Sequence, residues 1–126
     1  MTPEDFPKLF AACFAAQDGA GLSGFLAEDA DVVTLTGASA EGAEEARNLF
    51  DSEFAGIFAR AKLVSGRTRL RPLGPGGAIL HQRYVVICAQ DAEGQELPRF
   101  AAALTVVLLA RNDGWRAVSL VFSPLA

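Results

Sequence analysis

Few side chains in this sequence could move a proton beside a carbonyl, and the candidates are Asp31 and Tyr84. That chemistry needs a desolvated carboxylate as base and a donor to steady the developing enolate. Asp31 opens a run of β-branched residues and could turn inward as the base, although Asp29 and Asp31 flank a helix-to-strand junction where carboxylates cap helices or face water. Tyr84 joins a polar tip to an apolar body, which serves a ligand or a neighbouring carbonyl equally well. His81, the one histidine, alternates with Gln82 and Tyr84. If Tyr84 faces an interior, His81 and Arg83 face the other way. Arg67, Arg69 and Arg71 alternate with Thr68 and Leu70, so their guanidinium groups emerge on one side. They read as a solvated face rather than an anion site.

Other chemistries find less. Gly74-Pro75-Gly76-Gly77 joins two strands, not a strand and a helix, so it offers no phosphate cradle. Cys13 and Cys88 read as free buried thiols, because a disulfide would need their Cα atoms within about 7 Å, and neither has a legible activating base. With a single histidine and no clustered Cys or acidic pair, no metal and no cofactor is expected. The eleven Lys and Arg are scattered through a chain of net charge −4, which argues against nucleic acid as a partner. The longest apolar run, residues 101–110, is about half of what a helix needs to cross a bilayer. No basic-then-apolar leader opens the chain. A cytoplasmic protein without a membrane partner is expected.

The elements that must position these groups follow from periodicity. Over residues 3–16, Phe6, Leu9, Phe10, Cys13 and Phe14 recur at helical spacing, with Thr2 as N-cap. Asp18 caps a second, short helix carrying Leu22, Phe25 and Leu26 and closed by Glu28-Asp29. Residues 31–36 suit a strand halted by Gly37. Residues 44–61 place Ala46, Leu49, Phe50, Phe54, Ile57 and Phe58 on one helical stripe. Residues 62–73, 78–89, 98–110 and 115–122 then read as a four-strand meander. With 126 residues, half of them apolar, a single domain spanning 1–126 is expected. Helices first and antiparallel strands afterwards is an α+β order.

The last two strands are apolar on both faces. Strict alternation sets Trp115, Ala117, Ser119 and Val121 opposite Arg116, Val118, Leu120 and Phe122. Three helices can cover one face only, and an uncovered antiparallel face should turn polar. A second copy of the chain is the economical cover, which predicts a homodimer packed sheet to sheet, with His81, Arg83, Val118, Leu120 and Phe122 at its interface.

The order of elements and several motifs resemble the nuclear transport factor 2-like superfamily, in particular its bacterial SnoaL-like branch. They are Leu26-Ala27-Glu28-Asp29-Ala30-Asp31 before a strand, Thr36-Gly37 before a helix, Phe54-Ala55-Gly56-Ile57-Phe58-Ala59, Ala78-Ile79-Leu80-His81-Gln82-Arg83-Tyr84, residues 104–109, and Asp113-Gly114-Trp115-Arg116. The resemblance covers nearly the whole chain. It implies a cone: a curved antiparallel sheet wrapped around a long helix, with two further N-terminal helices and an apolar pocket. By that analogy the pocket would be lined by Phe14, Phe54, Phe58, Leu80, Gln82, Tyr84, Thr105, Trp115, Ser119 and Val121. Such relatives also commonly dimerise through the sheet. Where many of them carry a polar pair near the end of the last strand, this chain has Val121 and Phe122.

The reading that results is a dimeric domain binding a small hydrophobic ligand in a largely apolar pocket. An alternative is an isomerase, cyclase or dehydratase acting on a hydrophobic ketone or polyketide through Asp31 or Tyr84. Another is a protein-interaction module.

Overall fold

Residues 1–125 are described by the computed structural model of this chain. A one-turn 3-10 segment, Pro3–Asp5, leads into α1 (Phe6–Ala15). The Asp5 carboxylate accepts from the Thr2 amide and hydroxyl at 2.9 Å each. Phe6, Phe10 and Phe14, four residues apart, form the buried stripe of α1. The helix stops at Gln17, whose φ of 52° is left-handed. The amides of Gln17 and Asp18 fold back onto the carbonyls of Phe14 and Cys13 at 3.1 and 2.9 Å, which satisfies the helix end. Asp18 then caps α2 (Gly19–Ser23) by accepting from the Gly21 amide at 2.9 Å.

The second helix is shorter than its sequence suggests. Helix α2 ends at Ser23, and β1 (Leu26–Val33) already contains Glu28 and Asp29. The cause is tertiary: Leu26 aligns with Ala117 of the last strand, and the Ala117 amide donates to the Phe25 carbonyl at 2.8 Å. A sheet partner outweighs a local stop signal. The three-residue strand β2 (Ser39–Glu41), which carries no pattern long enough to read, folds back on β1. Helix α3 (Ala43–Phe54) is shorter than its apolar stripe. Turns follow it, and the Phe58 amide bonds the Glu53 carbonyl at 2.9 Å, keeping Phe58 buried.

The expected meander is present as β3 (Lys62–Pro72), β4 (Gly77–Ile87), β5 (Phe100–Arg111) and β6 (Gly114–Pro124). The six strands form one curved sheet in the order β2-β1-β6-β5-β4-β3. All neighbours are antiparallel except β1 and β6, which are parallel. The sheet is therefore mixed, because β1 is drawn beside the last strand of the meander rather than beside the first. The class is α+β, with α1 packed against β3 and α3 against β1 and β2. Among the described residues no helix is long and apolar enough to cross a membrane.

Besides the register break in β1 between Leu26 and Asp31, two strands carry a one-residue bulge. In β3 the register steps from Ser65 opposite Tyr84 to Thr68 opposite Gln82, so Gly66 and Arg67 together face Arg83. In β6 it steps from Ala117 opposite Leu108 to Ser119 opposite Val107, leaving Val118 as the extra residue. Each extra residue reverses which face the following side chains occupy.

Candidate functional site

The inner face of the sheet meets the helices in a layer of aromatic rings. Phe14 lies against Phe54, Phe58 and Phe122 with ring centroids 5.2, 5.4 and 6.0 Å apart. Phe10 packs edge-on to Phe122 at 5.3 Å and stacks near Tyr84 at 6.2 Å. These separations are those of a close-packed aromatic core. Phe14, Phe54, Phe58, Leu80 and Tyr84, read as lining a pocket, instead fill the cone and are all buried.

The polar groups of that interior are also committed. The Tyr84 hydroxyl donates to the Pro7 carbonyl at 2.6 Å, and burial pushes its phenol well above the ordinary tyrosine value. It is a neutral strut between β4 and the start of α1. The Gln82 amide nitrogen donates to the carbonyls of Gly66 and Arg83 at 3.2 and 2.8 Å, and its oxygen accepts from the Thr68 hydroxyl. Glu53 is a buried acid that the sequence reading passed over. Its Oε2 accepts from the hydroxyls of Thr34 and Thr36, 2.7 Å each, which ties α3 to the β1–β2 turn. The signal was available, since Glu53 falls within the apolar stripe between Phe50 and Phe54.

The bulge at Val118 corrects the assignment of faces in β6. Trp115 and Ala117 precede it, and Trp115 is half-buried against the core. After it, Leu120 and Phe122 point inward and are 1% exposed each, while Ser119 and Val121 face out. Leu120 and Phe122 therefore belong to the core of one chain and not to an interface, and Val118 is half-buried against that core. Ser119, Val121 and Thr105 lie on the outer face, not in the cone. Asp31 shares that face, paired with Ser119 on one side and Glu41 on the other. Asp31 and Tyr84 thus occupy opposite faces of the sheet and cannot meet as an acid-base pair.

The outer face has three zones. Its centre is apolar, with Val33, Val121, Ala103, Thr105, Val107, Leu109 and Ile79 aligned across β1, β6, β5 and β4. The β1–β2 edge is acidic, where Glu28, Asp29, Asp31 and Glu41 line one depression. Toward β3 a second depression of about 230 Å³ is lined by Arg67, Arg69, His81 and Arg83 around Ala103 and Thr105. His81 and Arg83 do lie on the side opposite Tyr84, as alternation requires. Cys13 and Cys88 are free and half-buried, and burial raises the Cys13 thiol above its usual value.

No protein-family model matches the sequence, and no curated protein is similar to it. Solved structures are similar in shape. A protein with a cystatin-like fold from Caulobacter vibrioides superimposes with a TM-score of 0.87 at 15% identity, covering 98% of this chain and 87% of that one. An NTF2-like protein with a cystatin-like fold from Novosphingobium aromaticivorans gives 0.75 at 21% identity, over 97% and 80%. A Streptomyces avermitilis protein of the NTF2-like family, provisionally named a dehydratase, gives 0.77 at 16%, over 95% and 91%. The chain therefore has the NTF2-like, cystatin-like fold that its motifs resemble.

Proposed function

We propose that this chain is a dimeric binding module that works through the outer face of its sheet rather than through a cavity inside its cone. The observation that carries this reading is the contrast between the two faces: aromatic rings fill the inner one, while the outer one keeps an apolar centre with no helix over it. An apolar stripe four strands wide, at about 4.8 Å per strand, suits the core of a self-complementary interface. Its residues are Val33, Val121, Val107, Leu109 and Ile79. These replace Leu120 and Phe122 as the interface set, while His81 and Arg83 lie toward the rim.

A proton-transfer enzyme of the kind suggested by the dehydratase-named relative draws no support from this interior, because Tyr84 and Glu53 are bonded within the core and Asp31 faces out. Sedimentation velocity at micromolar concentration tests the proposal. The expected result is the dimer mass, reduced to the monomer mass by Val107→Arg with an unchanged far-ultraviolet spectrum. A wild-type chain that sediments only as a monomer would overturn it.

A further inference from the structure

We propose that the depression at the β3–β4 edge is a binding site for a small oxyanion bearing two or more charges, such as a phosphate ester or a dicarboxylate. The inference goes beyond the dimer and does not depend on it. Four basic residues meet there in a definite lattice. Arg69 stands directly opposite His81, and Arg67 with Gly66 stands opposite Arg83. His81 and Arg83 are two residues apart on β4, about 7 Å along the strand. On the next strand their partners are Thr105 and Ala103. Ala103 is too short to fill the space beside Arg83, and Thr105 borders the same depression.

Like charges set directly across a strand pair, as Arg67 and Arg83 are, repel one another, yet among the described residues no carboxylate forms an ion pair with them. The ion pairs among the described residues are Arg47–Asp51 and Arg116–Asp113, both elsewhere. The carboxylates of the outer face lie on β1 and β2, separated from this site by β6 and β5. Guanidinium groups brought together without acids form a receptor for the oxygens of an anion, which they hold by charge-assisted, forked hydrogen bonds.

The site is also held in shape. Arg67 shares the outer face with Arg69 by alternation, and buried Gln82 fastens the bulge beside it through the Gly66 carbonyl. Gly66 packs closely there, since a Cβ would stand 3.2 Å from the Arg83 carbonyl, tighter than ordinary van der Waals contact. A bulge pinned by a buried amide keeps the backbone that carries Arg67 in place opposite Arg83.

Isothermal titration calorimetry of the full chain with inorganic pyrophosphate and with succinate, at matched ionic strength, tests the proposal. Saturable binding of either probe is expected, weakened about tenfold or more in the Arg69→Gln/Arg83→Gln double variant. Arg47→Gln, which removes one charge from α3, should leave it unchanged. A stronger response to pyrophosphate assigns phosphate esters, and a stronger response to succinate assigns dicarboxylates. Absence of saturable binding of both probes overturns the site, as does an equal loss in Arg47→Gln. If neither probe binds and the double variant instead dissociates the dimer, the arginines serve the acidic edge of a second copy and the proposal fails.

Discussion

Strands β3 and β6 each carry one extra residue, and the two insertions act in opposite directions. In β6, a central strand, Val118 lets Ala117 and then Leu120 and Phe122 all point at the helices. In β3, an edge strand, the pair Gly66 and Arg67 lets Leu63 and Leu70 both lean on the core while the arginines turn out. One bulge completes the interior, and the other arms the exterior. The spacing betrays both, because inward apolar residues an odd number of positions apart, such as Ala117 and Leu120 or Leu63 and Leu70, cannot share a face in a regular strand.

Single-residue deletions break this comparison most severely. Removing Val118 forces either Trp115 and Ala117 or Leu120 and Phe122 out of the core, and urea denaturation followed by fluorescence should then show no cooperative transition. Removing Arg67 turns out one half-buried leucine. Its expected cost is about 2 kcal/mol, with cooperative unfolding retained. Equal effects of the two deletions would mean that the bulges are interchangeable in the fold.

The tether between α3 and the β1–β2 turn comes next in size. Glu53→Gln keeps the shape but replaces one carboxyl oxygen of the group that holds two hydroxyls with an amide nitrogen, and it should cost about 1 to 2 kcal/mol in the same denaturation measurement. The smallest effect is expected at Tyr84. Tyr84→Phe leaves the Pro7 carbonyl without its donor, at a cost of about 1 kcal/mol. It also changes the alkaline limb. Burial raises the Tyr84 pKa in the folded chain, so above about pH 10 the unfolded chain loses this proton first and binds fewer protons than the folded one. Stability contributed by Tyr84 is therefore present below that pH and declines as pH rises past it. The Phe variant should lack that part of the decline when thermal unfolding is followed between pH 9 and 11.

Much of this was legible in the sequence, for physical reasons that differ from element to element. Phe6, Phe10 and Phe14 announce α1 because local spacing alone fixes a helical stripe. The meander could be read from β-branched runs between turn residues. The start of β1 at Leu26 could not, since it depends on Ala117, ninety-one residues further on. Alternation continued through Val118 exchanges the two faces of β6, and the bulge there is why Ser119 and Val121 lie outside while Leu120 and Phe122 lie inside. Alternation puts the arginines of β3 on one side, yet their gathering with His81 and Arg83 depends on cross-strand register, which one strand alone does not specify.

The placement of β6 also has a consequence in time. It is the last strand in the chain but lies between β1 and β5, so it bridges the first hairpin and the rest of the meander. During synthesis the earlier strands emerge without the neighbour that joins them, and a chain interrupted before Gly114 would hold two separate pieces of sheet, each with an open edge. Completion of this fold is therefore a single late event, and a ribosome that stalls before it leaves a chain exposed to aggregation rather than a smaller working domain.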